Sequence, residues 1–420
     1  MNTLVIAPID TVALLDRFCR YARIDTQADE SASDYPSTPG QLELGRMLLA
    51  ELLAMGLSDA HQTQWGIVYA TIPATIAQTV PVIAWIAHVD TSPETTGKNV
   101  QPQIIAEYQG QPLILPGDPT KVIHPKDSPE LLKLIGCTII TTDGTTLLGA
   151  DNKAGVAVIM QAARTLLAHP EIPHGPIRVC FTCDEEIGKG IAHVEAAELG
   201  AVVAYTLDGA ASGEIEAETF SADKAIATIR GVNIHPSMGK GKMVNAVRLA
   251  GIFLERLPKD HLSPETTDDR DGFIHPYHMV GGVAEMTIGL LLRDFDTAQL
   301  AVQADMLRAI GKDIETAYPR SSVSVEIKPQ YRNMADGIAK DPRAVAYAVE
   351  AYHRAGIEPV PRSIRGGTDG ALLTAKGVPT PNLSTGEHNL HSPLEWTCLE
   401  EMETAVKVLL ELAKVWGEVR

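Results

Sequence analysis

The chain carries acidic and histidine side chains at points where apolar segments give way to turns. Those that could bind a metal ion or a proton are His88, Asp90, Asp151, Glu185, Glu186, Asp208 and His391. Carboxylate oxygens and imidazole nitrogens are common protein ligands of zinc and other divalent ions. Because the set is large enough for two divalent ions, the residue types predict a two-metal hydrolase.

Each motif taken alone also has a simpler explanation. His88-Val-Asp90 could be a strand-end turn, Asp151 could cap the helix that follows it, and Asp184-Glu185-Glu186 could be a solvated turn. Three consecutive acids, however, repel one another unless they are solvated or bound to cations. A capping role for Asp151 also leaves Gly149 and Gly155 unexplained, and these glycines would permit a close backbone approach.

The segments before these residues predict the strands of a buried sheet. Residues 80–87 are apolar on both faces, as in a central strand that helices cover, and residues 177–182 and 201–207 also read as buried strands. In open α/β sheets, sites form beyond the carboxyl ends of the strands. We therefore expect four strand ends to converge on one crevice. The residues at these ends are His88, Asp151, Glu185/Glu186 and Asp208.

Helical spacing of apolar residues predicts the elements that surround this sheet. The predicted helices cover residues 10–24, 41–55, 156–168, 342–355 and 397–416. The last of them follows a polar loop at 381–391 that offers His388 and His391. Either could be a surface histidine, but a binuclear site needs at least one of them.

The middle of the chain has a different pattern. Residues 225–231, 279–286, 287–295 and 322–328 read as strands, and 243–257 and 296–318 as helices. The order β-α-β-β-α-β is that of the split βαβ, or ferredoxin-like, unit. We therefore expect an inserted domain at 219–328, with 1–218 and 329–420 forming the α/β catalytic domain.

Composition excludes several partners. The formal charge is 35 − 53 = −18, and such an acidic surface repels phosphate backbones, so no nucleic-acid partner is expected. The sequence has no run of about 18 apolar residues, the length needed to span a membrane. Met1–Asp10 lacks the basic and apolar regions of a signal peptide. Five scattered cysteines suggest a reducing cytoplasm. Cys180 and Cys183 would lie on opposite faces of a strand, and could not share a metal.

In order and spacing, these motifs resemble the peptidase T family of zinc aminotripeptidases, within the superfamily of two-zinc exopeptidases and deacylases. The residues that carry the resemblance are His88-x-Asp90-Thr91, Gly149-Ala-Asp-x-Lys-Ala-Gly155, Asp184-Glu-Glu-x-Gly188, Asp208-Gly209, Ile364-Arg-Gly-Gly-Thr-Asp-Gly-Ala371 and His391. The similarity covers nearly the whole chain. It implies an α/β, mixed-sheet catalytic domain and an inserted ferredoxin-like domain that serves as lid and dimerisation surface of a homodimer.

The resemblance implies two Zn²⁺ ions per subunit, for which Mn²⁺ or Co²⁺ could substitute, bridged by Asp151 and a water or hydroxide. His88 and Asp208 would hold one ion, and Glu186 and His391 the other. It also implies a cis peptide bond between Asp151 and Asn152. The family usually has an aspartate where this chain has Asn152, which would alter the charge around the ions.

The remaining roles implied by the resemblance concern the reaction with a small peptide. Asp90 would orient His88, and Glu185 would be the general base for the metal-bridging water. His235 would reach the site of the partner subunit and stabilise the oxyanion. Three residues would grip the substrate backbone and its carboxylate: Arg293, Asn333 and Arg365.

Other activities stay open on the same scaffold. A dipeptidase, a carboxypeptidase or an N-acyl amino acid deacylase would differ only in pocket size and in the groups that bind amine or carboxylate. A catalytically silent metal-binding protein would be expected to lack Glu185 or a ligand, and all are present. A serine hydrolase and a P-loop enzyme are disfavoured because neither Gly-x-Ser-x-Gly nor Gly-x-x-x-x-Gly-Lys-Ser/Thr occurs.

Overall fold

The computed structural model describes residues 8–419. The first seven residues of the segment Met1–Asp10, in which no signal peptide is expected, lie outside this range. Within it, every helix is too short or too polar to cross a lipid bilayer. All five cysteines are free thiols, and Cys180 and Cys183 are both buried.

The described part of the chain contains ten α-helices and eighteen strands. The helices are α1 (Thr11–Ala22), α2 (Pro39–Ala54), α3 (Ala150–Ala168), α4 (Ala196–Leu199), α5 (Ala246–Glu255), α6 (Thr297–Ala317), α7 (Ala335–Ile338), α8 (Arg343–Arg354), α9 (Asp369–Ala375) and α10 (Leu399–Gly417). The strands are β1 (His61–Gln62), β2 (Val68–Ile72), β3 (Ile83–His88), β4 (Gln103–Ile105), β5 (Leu113–Ile114), β6 (Val122–Ile123), β7 (Ile139–Thr141), β8 (Ile177–Thr182), β9 (Val203–Gly209), β10 (Glu214–Thr219), β11 (Ser221–Arg230), β12 (Phe273–Gly281), β13 (Glu285–Asp294), β14 (Ser322–Tyr331), β15 (Val360–Ile364), β16 (Asn382–Ser384), β17 (Glu387–His388) and β18 (Trp396–Cys398).

The chain divides into two compact units. The first contains the described residues up to Ala217 together with Met334–Arg362 and the residues from Thr368 onward. The second contains Glu218–Asn333 and Ser363–Gly367. The second unit therefore differs from the range 219–328 at both ends, and it includes a segment near residue 365 that the sequence had assigned to the catalytic domain.

An eight-stranded mixed sheet forms the centre of the first unit, in the order β1-β2-β8-β3-β9-β16-β10-β15. β8, β3, β9 and β16 are parallel neighbours, and β2 and β10 join them in the antiparallel sense. β3 is buried along its whole length, as its apolar sequence predicts for a central strand. The mixed α/β fold class is confirmed.

Helices cover both faces of this sheet. On one face α3 packs against β3 and β9, and α1 and α10 pack against α3. On the other face, apolar residues of β2, β3 and β8 form one core with Leu199 and Leu373, from α4 and α9. Residues 13–22 and 402–416 have the apolar periodicity of such covering helices, and the predictions for α1 and α10 are confirmed within a few residues.

The register of the parallel strands places their carboxyl ends at one level. His88, at the end of β3, lies opposite Thr182, at the end of β8. Ile86 lies opposite Thr206, so Asp208 on β9 is level with His88. These ends therefore form one edge of the sheet, as the apolar strand pattern predicts.

The predicted strand ending at Asp151 is absent from the described structure. The strand that precedes Asp151 is β7, which ends at Thr141 and belongs to a separate four-stranded sheet with β4, β17 and β18. The apolar Leu147 and Leu148 are buried without forming a strand. Burial in a loop produced the same apolar signal as a strand, because both place the side chains in the core.

The second unit has the predicted element order, from β11 through α5, β12, β13 and α6 to β14. Its four strands form an antiparallel sheet in the order β12-β13-β11-β14. The apolar sides of α5 and α6 pack with β11 and β13 in a core of their own. This is a ferredoxin-like βαββαβ arrangement.

One strand boundary in this unit is wrong in the sequence interpretation. Residues 279–286 were expected to form one strand, but β12 ends at Gly281 and β13 begins at Glu285. Gly281 has a φ of 140°, which a residue with a side chain rarely adopts. The turn of the β12–β13 hairpin thus lies inside the predicted strand.

Candidate active site

The edge formed by β3, β8 and β9 brings together the five residues proposed as metal ligands. His88 Nε2 lies 3.0 Å from Asp151 Oδ1 and 3.4 Å from Asp208 Oδ1. His391 Nε2 lies 3.2 Å from Asp151 Oδ2 and 3.0 Å from Glu186 Oε2. Each oxygen of Asp151 therefore faces a different histidine, and the cluster has two halves that share this one carboxylate.

The loop that carries Asp151 is held by a buried acid, Glu395. Glu395 Oε2 accepts the amide hydrogens of Leu148 at 2.7 Å and Gly149 at 2.9 Å, and its Oε1 accepts that of Asp151 at 3.1 Å. Gly149 has a φ of 77°, and the Asp151–Asn152 peptide bond is cis. Asp151 and Asn152, near the start of α3, lack helical dihedral angles, so the regular part of this helix begins after Asn152.

The glycine on the other side of Asp151 is required by close packing. A Cβ atom at Gly155 would lie 1.9 Å from the carbonyl oxygen of Leu207 on β9. This approach brings the start of α3 directly against β9, the strand that carries Asp208. Gly155 therefore fixes the separation between the Asp151 loop and one of its partners.

Asp90 contacts both the His88 ring and the turn after β8. His88 Nδ1 lies 3.1 Å from the main-chain oxygen of Asp90 and 3.4 Å from its carboxylate. The carboxylate accepts the amide hydrogens of Glu185 at 3.1 Å and Glu186 at 3.0 Å. Asp90 is fully buried, so it both faces the His88 ring and fixes the turn after β8.

The three consecutive acids after β8 separate in space. Asp184 turns into the protein, where its carboxylate accepts hydrogen bonds from Ser37 and Gln41. Glu186 faces His391, and Glu185 lies at the start of the 3-10 turn Glu185–Ile187. Asp184 has a left-handed φ of 62°, and this turn of the backbone lets its side chain and those of the two glutamates point in different directions. Mutual repulsion is reduced because the three carboxylates do not share one environment.

Of the two histidines in the last polar loop, only His391 joins the cluster. His388 Nε2 lies 2.8 Å from Glu401, and its ring stacks on Trp396 with centroids 3.8 Å apart. Both histidines were candidate ligands in the sequence, but in the folded protein His388 packs against Trp396 and pairs with Glu401.

Burial and charge make this cluster unfavourable for protein groups alone. Burial and the nearby Asp151 charge raise the pKa of Glu186 to about 8, despite contacts with histidines. Burial also raises the pKa of Glu185 well above its usual value, and nearby acids add to this effect. The pKa of His391 rises to about 11 through contacts with Asp151 and Glu186. Divalent cations would relieve this concentration of negative charge.

The donor set fits two divalent cations. Ligand atoms about 2.1 Å from one tetrahedral ion are about 3.4 Å apart, and the contacts across each half of the cluster are 3.0–3.4 Å. Glu186 Oε1 is buried without a hydrogen-bond partner in the described structure. One nitrogen and at least two carboxylates in each half match the ligands that Zn²⁺ and Mn²⁺ accept.

Three buried acids around the cluster were missed by the sequence interpretation: Asp369, Glu387 and Glu395. Asp369 accepts a hydrogen bond of 2.7 Å from Thr182, and burial raises its pKa to about 7. Glu387 forms a possible ligand group with Asp151 and Asp208. The sequence signal for each acid was weak: Asp369 lies in the glycine-rich loop 363–370, Glu387 in the polar loop 381–391, and Glu395 just after that loop.

The other proposed site residues belong to the second unit. His235 is exposed and pairs with Ser237. Arg293 is buried, and it donates to the carbonyl oxygens of Asp223 and Leu292.

The other two proposed substrate residues also have partners within that unit. Asn333 donates to Glu218 and to the carbonyl oxygen of Phe295. The guanidinium of Arg365 donates to the carbonyl oxygens of Asp269 and Asp271, both at 2.9 Å.

Comparison with known proteins agrees with this geometry. The sequence pattern of "Peptidase family M20/M25/M40" matches residues 143–415. Peptidase T of Geobacillus thermodenitrificans is 44% identical over 405 residues, covering 96% of this chain and 98% of that protein.

Two solved structures share the fold. A tripeptidase from Staphylococcus aureus has a TM-score of 0.76 at 21% identity, covering 98% of this chain and 100% of that one. A dinuclear metal-binding M20 peptidase from Bacillus subtilis has a TM-score of 0.66 at 16% identity, covering 96% of this chain and 98% of that one. The chain is therefore a peptidase that belongs to family M20/M25/M40 and, within it, to the peptidase T group.

Proposed function

We propose that this protein is a metal-dependent aminopeptidase that removes the N-terminal residue from tripeptides. The observation that carries the proposal is the arrangement of His88, Asp208, Glu186 and His391 around Asp151, with contacts of 3.0–3.4 Å. The peptidase T relative and the S. aureus tripeptidase support the substrate class.

Two cations fit the two halves of the cluster. His88 and Asp208 would hold one, Glu186 and His391 the other, and Asp151 both. When bound, such ions would polarise a scissile carbonyl and acidify a water molecule. The dinuclear peptidase from B. subtilis supports this number. We infer Zn²⁺ as the physiological ion, with Mn²⁺ or Co²⁺ as substitutes.

Glu185 is the general base of the proposed reaction. Its carboxylate accepts a proton from the attacking water and returns it to the leaving amine. The backbone of Glu185 is fixed by Asp90, while its side-chain oxygens are not engaged in any hydrogen bond within the described chain. Burial raises its pKa, and a base with a raised pKa accepts a proton more readily.

We infer from the family resemblance which residues recognise the substrate. Arg293, Asn333 and Arg365 would hold the peptide backbone and its carboxylate, for which a guanidinium fork is well suited. We further propose a cytoplasmic homodimer that pairs through the second unit, with His235 acting at the partner's site. Gel filtration and an His235→Ala variant, mixed with an inactive Glu185→Gln variant to test complementation, would examine this arrangement.

The decisive experiment compares four alanine substrates: a dipeptide, a tripeptide, a tetrapeptide and an N-acetylated tripeptide. We expect release of free amino acid from the unblocked tripeptide, loss of activity with a chelator, and a kcat at least 100-fold lower for Glu185→Gln. Glu195→Gln is the matched control, because Glu195 is exposed and its side chain makes no capping hydrogen bond to α4. Preference for the acetylated or two-residue substrate would instead indicate a deacylase or a dipeptidase.

A further inference from the structure

Glu387 is a buried carboxylate that the proposed reaction does not use. It begins β17, which pairs with β18 and so lies in the small sheet beside α3. Its exposed fraction is 1%. Glutamate is rarely buried to this extent unless the charge is paired or binds a cation.

One oxygen of Glu387 is accounted for and the other is not. Oε1 accepts a hydrogen bond of 2.6 Å from Thr385 Oγ1. Oε2 is buried and has no hydrogen-bond partner within the described structure. A buried acceptor without a partner costs free energy, so an unpaired carboxylate oxygen at a fixed position indicates a missing ligand.

The unpartnered carboxylate belongs to one half of the cluster. Ligand atoms of Glu387, Asp151 and Asp208 all lie within 4.8 Å of one another. Asp151 and Asp208 are also the two acids that contact His88 Nε2. Asp151 belongs to both halves, so Asp208, which lies 3.4 Å from His88 Nε2, is the acid that assigns Glu387 to the half with His88.

We propose that Glu387 is an additional carboxylate ligand of the cation position formed by His88, Asp151 and Asp208. The inference rests on the proposed two-metal function and assigns a further residue to it. This position then has one imidazole and three carboxylates, whereas the position with Glu186 and His391 has one imidazole and two. The two positions are therefore unequal.

The inequality has chemical consequences. A further negative ligand increases the affinity of that position for any divalent cation, and a carboxylate-rich set suits a harder ion such as Mn²⁺ better than an imidazole-rich set does. The position with Glu186 and His391 remains the weaker one. The competing explanation is a protonated Glu387 that supports the loop through Thr385 only, and this explanation predicts no effect on either ion.

The test measures metal affinity rather than turnover. Metal-stripped wild-type protein, Glu387→Gln and Glu411→Gln are titrated with Mn²⁺ and Zn²⁺ by calorimetry, and with Co²⁺ by visible absorption. Glu411 is the matched control because it is buried, has one unpartnered oxygen and pairs with Lys414 on α10 outside the cluster.

We expect two ions in the wild type with distinct affinities. Glu387→Gln should weaken the tighter site by about 10–100-fold, the range seen when groups around a metal are removed, and should change the Co²⁺ spectrum. The weaker site and the Glu411→Gln variant should be unchanged. Circular dichroism checks that Glu387→Gln is folded. If it is not, Glu387→Asp is used instead, because it retains the charge, and it should weaken the same site by a smaller factor.

Equal affinities in wild type and the Glu387 variants would overturn the inference and leave the proposed function intact. In that case the wild type would still bind two ions and cleave the tripeptide. A wild type that binds fewer than two ions would overturn both, and the stoichiometry would separate this result from the first.

Discussion

Glu395 holds the Asp151 loop through three hydrogen bonds, and the loss of stability on removing its carboxylate should be measurable without any metal. The carboxylate is 1% exposed. Oε2 serves the amides of Leu148 and Gly149, and Oε1 serves that of Asp151. In Glu395→Gln, the amide oxygen can keep the first two, but the new NH₂ group faces the third donor.

The expected magnitude follows from this count. One buried amide left without an acceptor costs about 1–3 kcal/mol, so Glu395→Gln should lower the free energy of unfolding by about that amount. Glu395→Ala leaves three such donors, which sets an upper bound of roughly 9 kcal/mol by the same rule. Water entering the cavity would reduce this cost, but the alanine variant should remain the less stable of the two.

Urea unfolding followed by circular dichroism, in chelator at pH 8, measures these differences. This pH is chosen because burial raises the pKa of Glu395 to about 7, so the carboxylate is mostly ionised there. Calorimetric Zn²⁺ titration should show weaker binding in both variants, since Asp151 is the shared ligand. The Glu411→Gln variant controls for loss of a buried charge. Equal stability of the alanine and glutamine variants, or normal metal affinity in both, would refute this role for Glu395.

Three further predictions concern the support of the site and the core. Gly155→Ala should lower the free energy of unfolding by at least about 2 kcal/mol, because the new Cβ would lie 1.9 Å from the Leu207 carbonyl oxygen. The control is Gly251→Ala, in a helix where the added Cβ meets open space. In the same urea titration this variant should be neutral or more stable by up to about 1 kcal/mol. Asp90→Asn should reduce metal affinity or kcat by about 10–100-fold, because an asparagine has only one oxygen and no charge with which to accept the two amide hydrogens of the turn after β8. Rescue of kcat by excess metal would identify metal affinity as the property affected. Burial raises the pKa of Glu216 to about 7 from the usual 4.5 of a glutamate, so the folded protein binds this proton more tightly than the unfolded chain does. The stabilisation from this proton should be complete below about pH 4.5 and lost as the pH rises through 7, which lowers the free energy of unfolding by up to about 3 kcal/mol. The melting temperature of Glu216→Gln, measured by thermal unfolding across this pH range, should lack this decline. Parallel plots of melting temperature against pH for the two proteins would contradict the role given to Glu216.

The strands of the catalytic unit were largely predictable because burial on both faces leaves a continuous apolar run. β3, β8 and β9 all appear where the sequence indicates them, and the rule for parallel sheets places His88, Glu186 and Asp208 at one edge. The alternation of elements from 221 to 331 likewise indicated the ferredoxin-like unit. Local periodicity was sufficient in these regions because each element buries one or both of its sides along most of its length, so the apolar spacing follows the type of element.

The predictions that failed depend on where a segment packs rather than on its composition. Leu147 and Leu148 are apolar because a loop is buried there, and the sequence could not distinguish this from a strand. The turn at Gly281 was placed inside a strand because the apolar pattern runs through it. In both cases the deciding interaction is non-local.

The sequence by itself determined the residue types, their order and the sheet edge to which most of them belong. The family resemblance named His391 from the sequence, but only the tertiary structure decided that His388 packs on Trp396 and that Asp90 fixes the turn that carries Glu185. It also brought Glu387 and Glu395 to the cluster from a segment more than 230 residues beyond Asp151. The physical reason is that spacing along a strand or helix fixes only local direction, whereas a buried charge can be stabilised only by partners that the complete fold brings to it.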